Sequence, residues 1–180
     1  MKFPIGIQQF EENRLGDWIY VDKTVHIYNL ATGGKYFFLS RPRRFGKSLL
    51  LSTLEAYFQG KKHLFKGLAI EQLETEWAEH AVLHLDLNAE KYTASDDLTN
   101  ILDTYLREWE EKYESTEKEN PSLSQRFRSV IRAAKQKTGR NVVVLVDEYD
   151  KPMLQAIGNE ELQTEFRNSL KAFYGVLKSA

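Results

Sequence analysis

Apolar residues recur at every third or fourth position in several segments of the chain. The clearest stripe consists of Leu98, Ile101, Leu102, Tyr105 and Trp109, and the opposite side of the same predicted helix is charged. Glycine or proline follows several of these segments, where helices commonly end. We therefore predict helices over residues 47–58, 95–113 and 160–178, one that ends at Gly139, a short one after Asp22 that ends at 32–34, and a helical segment that includes Ile70, Leu73 and Trp77.

Three short apolar segments separate the predicted helices. They cover residues 36–39, 81–88 and 142–146, and their composition is typical of buried strands. The glycine pair before residues 36–39 favours a central strand there over a helical turn. Strands that alternate with helices predict an α/β fold with a mostly parallel sheet. We expect one domain over residues 1–180, with an N-terminal arm and helix in 1–35 and the core strands and helices in 36–180.

Composition and charge narrow the function classes. The 25 Lys and Arg nearly balance the 26 Asp and Glu, so direct binding to nucleic acid or to an anionic membrane is not indicated. Cysteine is absent, and no apolar run approaches the roughly 18 residues of a membrane span, so we expect a soluble cytoplasmic protein. The four histidines do not cluster at metal-ligand spacing: His26, His63, His80 and His84.

Residues 41–48 connect a predicted strand to a predicted helix, as a phosphate-binding turn must. Gly46-Lys47-Ser48 matches the second half of the Walker A pattern Gly-x-x-x-x-Gly-Lys-Ser, while Arg41 occupies the first glycine position. Gly46 would let the backbone approach the phosphates, Lys47 would bridge the β- and γ-phosphates, and Ser48 would place its hydroxyl on Mg²⁺. The predicted nucleotide contacts are Arg43, Arg44, Phe45, Gly46, Lys47, Ser48 and Leu49. For the arginines, ion pairing with surface carboxylates is an equal alternative.

Asp147 and Glu148 follow the predicted strand 142–146, at the end where ligands of open α/β sheets bind. As a Walker B pair, Asp147 would hold Mg²⁺ together with Ser48, and Glu148 would orient or deprotonate the attacking water. The predicted catalytic residues are therefore Glu148 and Lys47.

Several nearby polar residues have weaker claims to the site. For Asp86, a satisfied position at the end of a strand is the favoured interpretation, and structural roles are favoured for Tyr149, Asp150 and Lys151. The segment that begins at Asp22 fits a helix cap as well as it fits a site.

The chain resembles the predicted AAA-ATPase-like family of bacteria over almost its whole length. Three motifs carry the resemblance: YVDKT at 20–24, FLSRPRRFGKSL at 38–49 and VDEYDKP at 146–152. In that family, an arginine in place of the first P-loop glycine is usual. The resemblance implies a P-loop NTPase with a three-layer sandwich fold and an added strand between the two motif-bearing strands, similar to STAND-type ATPases. Longer members commonly continue with a sensor strand, and often with a nuclease-like domain of the PD-(D/E)XK type.

The resemblance also predicts an incomplete sheet. The chain ends at Ala180, before the sensor strand, so we expect a truncated domain that is incomplete on its C-terminal side. The resulting gap, beside Phe37 and Val144, would be filled by rearranged strand pairing or by another copy of the chain in a homo-oligomer.

Three functions agree with these motifs. The favoured one is an ATPase or ATP-dependent switch that binds ATP and hydrolyses it with Mg²⁺. The alternative is an interaction module that binds nucleotide without turnover, since the chain offers no assignable sensor residue or arginine finger. A P-loop kinase is less favoured, because the Asp-Glu pair suits water activation and no acceptor-binding lid is visible.

Overall fold

The computed structural model describes residues 3–16, 18–40, 45–88, 91–116 and 121–178. They form two compact units, Met1–Val82 and Leu83–Ala180, and a mixed α/β arrangement with a small parallel sheet, in which β1 pairs with β2. The helices and strands are α1 Phe10–Leu15, α2 Thr24–Gly33, α3 Lys47–Phe58, β1 Val82–Asp86, α4 Ser95–Tyr113, α5 Leu123–Thr138, β2 Val143–Asp147, α6 Lys151–Gln155 and α7 Glu160–Gly175. Short 3₁₀ turns cover Lys62–Phe65, Ala69–Gln72 and Val176–Lys178.

The first unit packs α1, α2 and α3 around an aromatic core. Phe10 and Phe65 are fully buried, and their ring centroids lie 4.8 Å apart. The buried Ser52 hydroxyl of α3 accepts a hydrogen bond of 2.9 Å from the Phe10 amide. Arg14 of α1 donates from Nε to the Leu64 carbonyl, at 2.8 Å. These contacts fix the body of α3, and with it the start of α3 at Lys47.

The second unit confirms the helices that the apolar stripes predict. The α4 residues Leu98, Leu102 and Leu106 are fully buried, and the rings of Phe127 in α5 and Phe173 in α7 stack with centroids 4.3 Å apart. Helix α5 ends at Gly139, as predicted, where the left-handed φ of 67° favours glycine. Apolar burial on the predicted faces therefore holds this unit together.

Residues 36–39 are not a strand, so the prediction of a buried central strand there is wrong for this structure. Tyr36, Phe37 and Phe38 expose 68%, 57% and 71% of their surface. A strand needs a neighbour to complete its hydrogen bonds. In the described ranges the sheet contains β1 and β2, so this apolar run has no ladder. That the gap beside Phe37 and Val144 is filled by rearranged strand pairing or by another copy of the chain stays a prediction.

The predicted helical segment is too long, because helical structure in this region is limited to the 3₁₀ turn Ala69–Gln72. The Glu74 carboxylate accepts hydrogen bonds from the amides of Glu76 and Trp77, at 2.7 and 3.3 Å. These contacts occupy amide groups that a continued helix would need. Trp77 itself has a φ of 47°, outside the helical range.

Asp22 lies two residues before α2, whose N-cap residue is Lys23, and its hydrogen bonds favour the structural interpretation of this residue. One carboxylate oxygen accepts from the Thr24 amide and hydroxyl, at 2.8 and 2.7 Å, and the other accepts from the Ala69 amide, at 2.7 Å. Burial acts to raise the pKa of Asp22, but the hydrogen bonds from Ala69 and Thr24 outweigh it, so the pKa is lowered.

Asp22→Ala is expected to lower the free energy of unfolding by about 1 kcal/mol at neutral pH, because the hydrogen bonds from Thr24 and Ala69 to the carboxylate are lost. Since the pKa is lower in the folded state, the ionised carboxylate stabilises the fold above its unfolded pKa of about 4, and this stabilisation is lost as the pH falls. Urea unfolding at pH 7 and pH 3 checks this. The difference between the two proteins should narrow at pH 3, and an undiminished difference would contradict a stabilising role of the ionised carboxylate.

Candidate nucleotide site

The predicted phosphate turn lies at the start of α3, in the first unit. Gly46 adopts a left-handed conformation, with a φ of 73°, immediately before Lys47. The first hydrogen bond of the helix runs from the Leu50 amide to the Gly46 carbonyl, at 3.0 Å. The amides of residues 47–49 precede that bond, and such amides at a helix start attract anions. The local backbone is therefore suited to a phosphate group.

The predicted contact residues of this turn differ in their surroundings. Lys47 and Ser48 are half-buried, and Phe45 is 64% exposed. Leu49 packs against the aromatic core, and its carbonyl accepts a hydrogen bond of 2.6 Å from the buried Thr53 hydroxyl. Leu49 is thus suited to bind a ligand through its amide rather than its side chain. The predicted contact residues Arg43 and Arg44 lie outside the described part of the chain, and so does Arg41.

Gly46→Ala is expected to lower the free energy of unfolding by about 1–2 kcal/mol, because alanine is strained in the left-handed region. A Cβ atom at Gly46 would meet no described atom within 4 Å, so conformation rather than space disfavours alanine. Gly175, the last residue of α7, is a matched control with equally open surroundings. Gly175→Ala should leave stability unchanged or raise it by up to about 1 kcal/mol. Equal effects of the two substitutions in urea unfolding would contradict this account.

The residues predicted to hold the metal ion and water lie at the end of β2, in the second unit. Asp147, the last strand residue, is 7% exposed, and its carbonyl accepts the Leu87 amide at 3.2 Å, which continues the contact between the two strands. One oxygen of the Asp147 carboxylate accepts the Glu148 amide at 2.9 Å. Glu148 has a left-handed φ of 49°, which is uncommon for any residue other than glycine, asparagine or aspartate.

A polar network joins the ends of the two strands. Lys151 donates from Nζ to the carbonyl and the side-chain oxygen of Asn88, at 2.6 and 3.1 Å. The Lys151 amide donates to the Glu148 carbonyl at 3.0 Å. Asp86 accepts the Asn88 amide at 2.8 Å, which supports its interpretation as a satisfied residue at a strand end. Sequence reasoning missed Asn88 as a contact residue, and its place as the polar last residue of the predicted strand 81–88 was the available signal.

The donor types fit a nucleotide-bound Mg²⁺, because the Ser48 hydroxyl and the Asp147 carboxylate offer hard oxygen ligands. Among the residues that the structure describes, no group of three or more His, Asp or Glu side chains is placed to hold a metal ion. Mg²⁺ bound to nucleotide needs fewer, since phosphates and waters complete its coordination. Ser48 lies in the first unit and Asp147 in the second.

Across the described parts of the chain, no helix combines the length and apolar character needed to cross a membrane.

Comparison with known proteins places the chain in a family. The model of the AAA-ATPase-like family, described as "Predicted AAA-ATPase", matches residues 4–180. A relative from Azotobacter chroococcum mcd 1, an "Uncharacterized protein in vnfD 5'region", is 40% identical over 183 residues, which cover 99% of this chain and 35% of the relative. The chain thus spans about a third of that relative's length. No solved structure matches. The chain belongs to the AAA-ATPase-like family.

Proposed function

We propose that this chain is the nucleotide-binding part of a Mg²⁺-dependent ATPase or ATP-driven switch. The observation that carries the proposal is the left-handed Gly46, which opens the 12-residue helix α3 directly at Lys47-Ser48. The match of the family model over residues 4–180 supports it, because a predicted AAA-ATPase is expected to bind ATP. Residues 43–49 hold the phosphates in this proposal.

The turn recognises phosphate by charge and by backbone hydrogen bonds. The amides at the start of α3 donate to phosphate oxygens, and the Lys47 ammonium neutralises the β- and γ-phosphates. Ser48 and Asp147 hold the metal ion. When bound, Mg²⁺ supplies positive charge that offsets the negative charge on the transferred phosphoryl group.

Glu148 is the proposed general base. Its carboxylate orients the attacking water and accepts its proton, while Asp147 is committed to the metal and to the Glu148 amide. These two roles, metal binding and water activation, require the carboxylates of Asp147 and Glu148 to have different neighbours. The hydrogen bond from the Glu148 amide to Asp147, together with the left-handed turn between β2 and α6, supports these separate roles.

We also propose that the ATP-bound protein has the three-layer fold of P-loop NTPases. The match of the family model over residues 4–180 supports this fold, since P-loop ATPases share it.

The test is a calorimetric titration of the 180-residue chain with ATP and MgCl₂, followed by an assay of inorganic phosphate release. We expect saturable binding that weakens when EDTA removes Mg²⁺, and steady release of phosphate. Absence of binding would overturn the proposal. Binding without phosphate release would instead support the interaction module, and would overturn the hydrolytic role of Glu148.

A further inference from the structure

Lys151 and Gln155 lie one turn apart on α6, and both contact the segment after β1. Lys151 bonds both oxygens of Asn88, and the side-chain oxygen of Gln155 accepts the Tyr92 amide at 2.8 Å. The Tyr92 hydroxyl donates in turn to the Leu87 carbonyl, also at 2.8 Å, and Tyr92 is fully buried. Helix α6 therefore contacts the segment after β1 through two side chains, at Asn88 and at Tyr92.

These two contacts differ in their relation to Glu148. The Lys151 amide donates to the Glu148 carbonyl at 3.0 Å, so displacement of Lys151 acts directly on the backbone of Glu148. Gln155 lies a full turn further along α6. The left-handed backbone of Glu148 is unfavourable for a glutamate and persists only where surrounding contacts hold it. The Lys151–Asn88 contact therefore supports that strained residue from the C-terminal side, while the Asp147 carboxylate accepts the Glu148 amide directly.

We infer that Lys151 and Asn88 are positioning residues, which hold the backbone of Glu148 so that its carboxylate faces the attacking water. The inference rests on the proposed function, because it concerns the same carboxylate. Lys151 acts through Glu148, without contact to the nucleotide. Its ammonium bonds two oxygens of one residue at the end of β1, and this fixes the start of α6 against the neighbouring strand.

The test compares Lys151→Met, which keeps the apolar stem but removes the ammonium, with Gln155→Ala, which removes the other tie of α6. Steady-state phosphate release gives kcat and KM for ATP with Mg²⁺. We expect Lys151→Met to lower kcat by about ten- to a hundredfold with KM changed less than about threefold, because misplacement of a catalytic group costs rate rather than binding. Lys151→Arg should recover most of the rate, and Gln155→Ala should keep kcat within about threefold of wild type.

A double substitution distinguishes positioning of Glu148 by Lys151 from a general destabilisation of the fold. If Lys151 acts through Glu148, Lys151→Met should cause no further loss in a Glu148→Gln background. Circular dichroism checks that each variant folds. Should Lys151→Met fail to fold, Asn88→Ala tests the same contact, with an expected loss of several-fold in kcat, because the backbone carbonyl of Asn88 still accepts from Lys151.

Three results would overturn the inference: a wild-type kcat in Lys151→Met or, where that variant does not fold, in Asn88→Ala; an equal loss of kcat in Gln155→Ala; or fully additive losses in the double substitution. The proposed function fails in a different way, through a wild-type chain that binds no ATP or releases no phosphate. An active wild type with an equally active Lys151→Met therefore overturns the positioning role and leaves the ATPase proposal standing.

Discussion

Glu148→Gln is expected to lower the rate of ATP hydrolysis by at least about a hundredfold, while ATP affinity changes by less than about threefold. The amide has nearly the size of the carboxylate but cannot accept a proton from water. Glu148 follows the buried Asp147 and is half-buried, so the substitution should leave β2 and its pairing with β1 intact. The effect should therefore fall on kcat.

Phosphate release at saturating ATP measures the rate, and calorimetric titration measures the affinity. Glu161→Gln is a matched control, since Glu161 is an exposed carboxylate in the first turn of α7 in the same unit. It should hydrolyse ATP at the wild-type rate. If Glu148→Gln kept that rate as well, the protein would use another base, or the measured activity would arise elsewhere.

Lys47→Ala is expected to weaken binding of ATP with Mg²⁺ by about a hundredfold. Hydrogen bonds to charged groups contribute roughly 1.5–3 kcal/mol each, and 1.4 kcal/mol corresponds to a tenfold change in affinity. Calorimetric titration gives the two dissociation constants. Lys62→Ala serves as the control, because Lys62 is an exposed lysine of the same unit in the 3₁₀ turn after α3.

An affinity of Lys47→Ala within about threefold of wild type would remove the phosphate turn from the account, since a lysine in contact with two phosphates cannot be lost without a larger effect. Equal weakening by Lys62→Ala would point instead to general attraction between ATP and positive charge. A decrease of affinity with rising salt in all variants is expected and does not distinguish these cases.

Helices α2 to α5 and α7 could be predicted because their signals are local, whereas the short helices α1 and α6 were not predicted. Helix α4 shows a continuous apolar stripe, and α5 begins with Ser122 and Gln125 in a capping box and ends at Gly139. The information for such an element lies within its own residues. Residues 36–39 differ, because an apolar run becomes a strand only when a partner strand comes from elsewhere in the chain or from another molecule. Sequence alone could not supply that partner.

The candidate site divides in the same way. The left-handed Gly46 before Lys47 agrees with the motif, because glycine itself signals that conformation. The left-handed Glu148 carries no such signal, since glutamate disfavours it. The contact from Lys151 to Asn88 joins residues 63 positions apart, so it appears only in three dimensions. The parts of the site that depend on long-range contacts were therefore the parts that sequence analysis missed.

The most direct test of the central claim is a two-dimensional ¹H–¹⁵N NMR titration of the wild-type chain with ATP and MgCl₂. The account predicts one saturable event in which the amides of Gly46, Lys47 and Ser48 shift together with those of Asp147 and Glu148. Shifts confined to other residues, or saturation at the turn without any change at Asp147 and Glu148, would contradict the claim that these two segments bind one nucleotide with its metal ion.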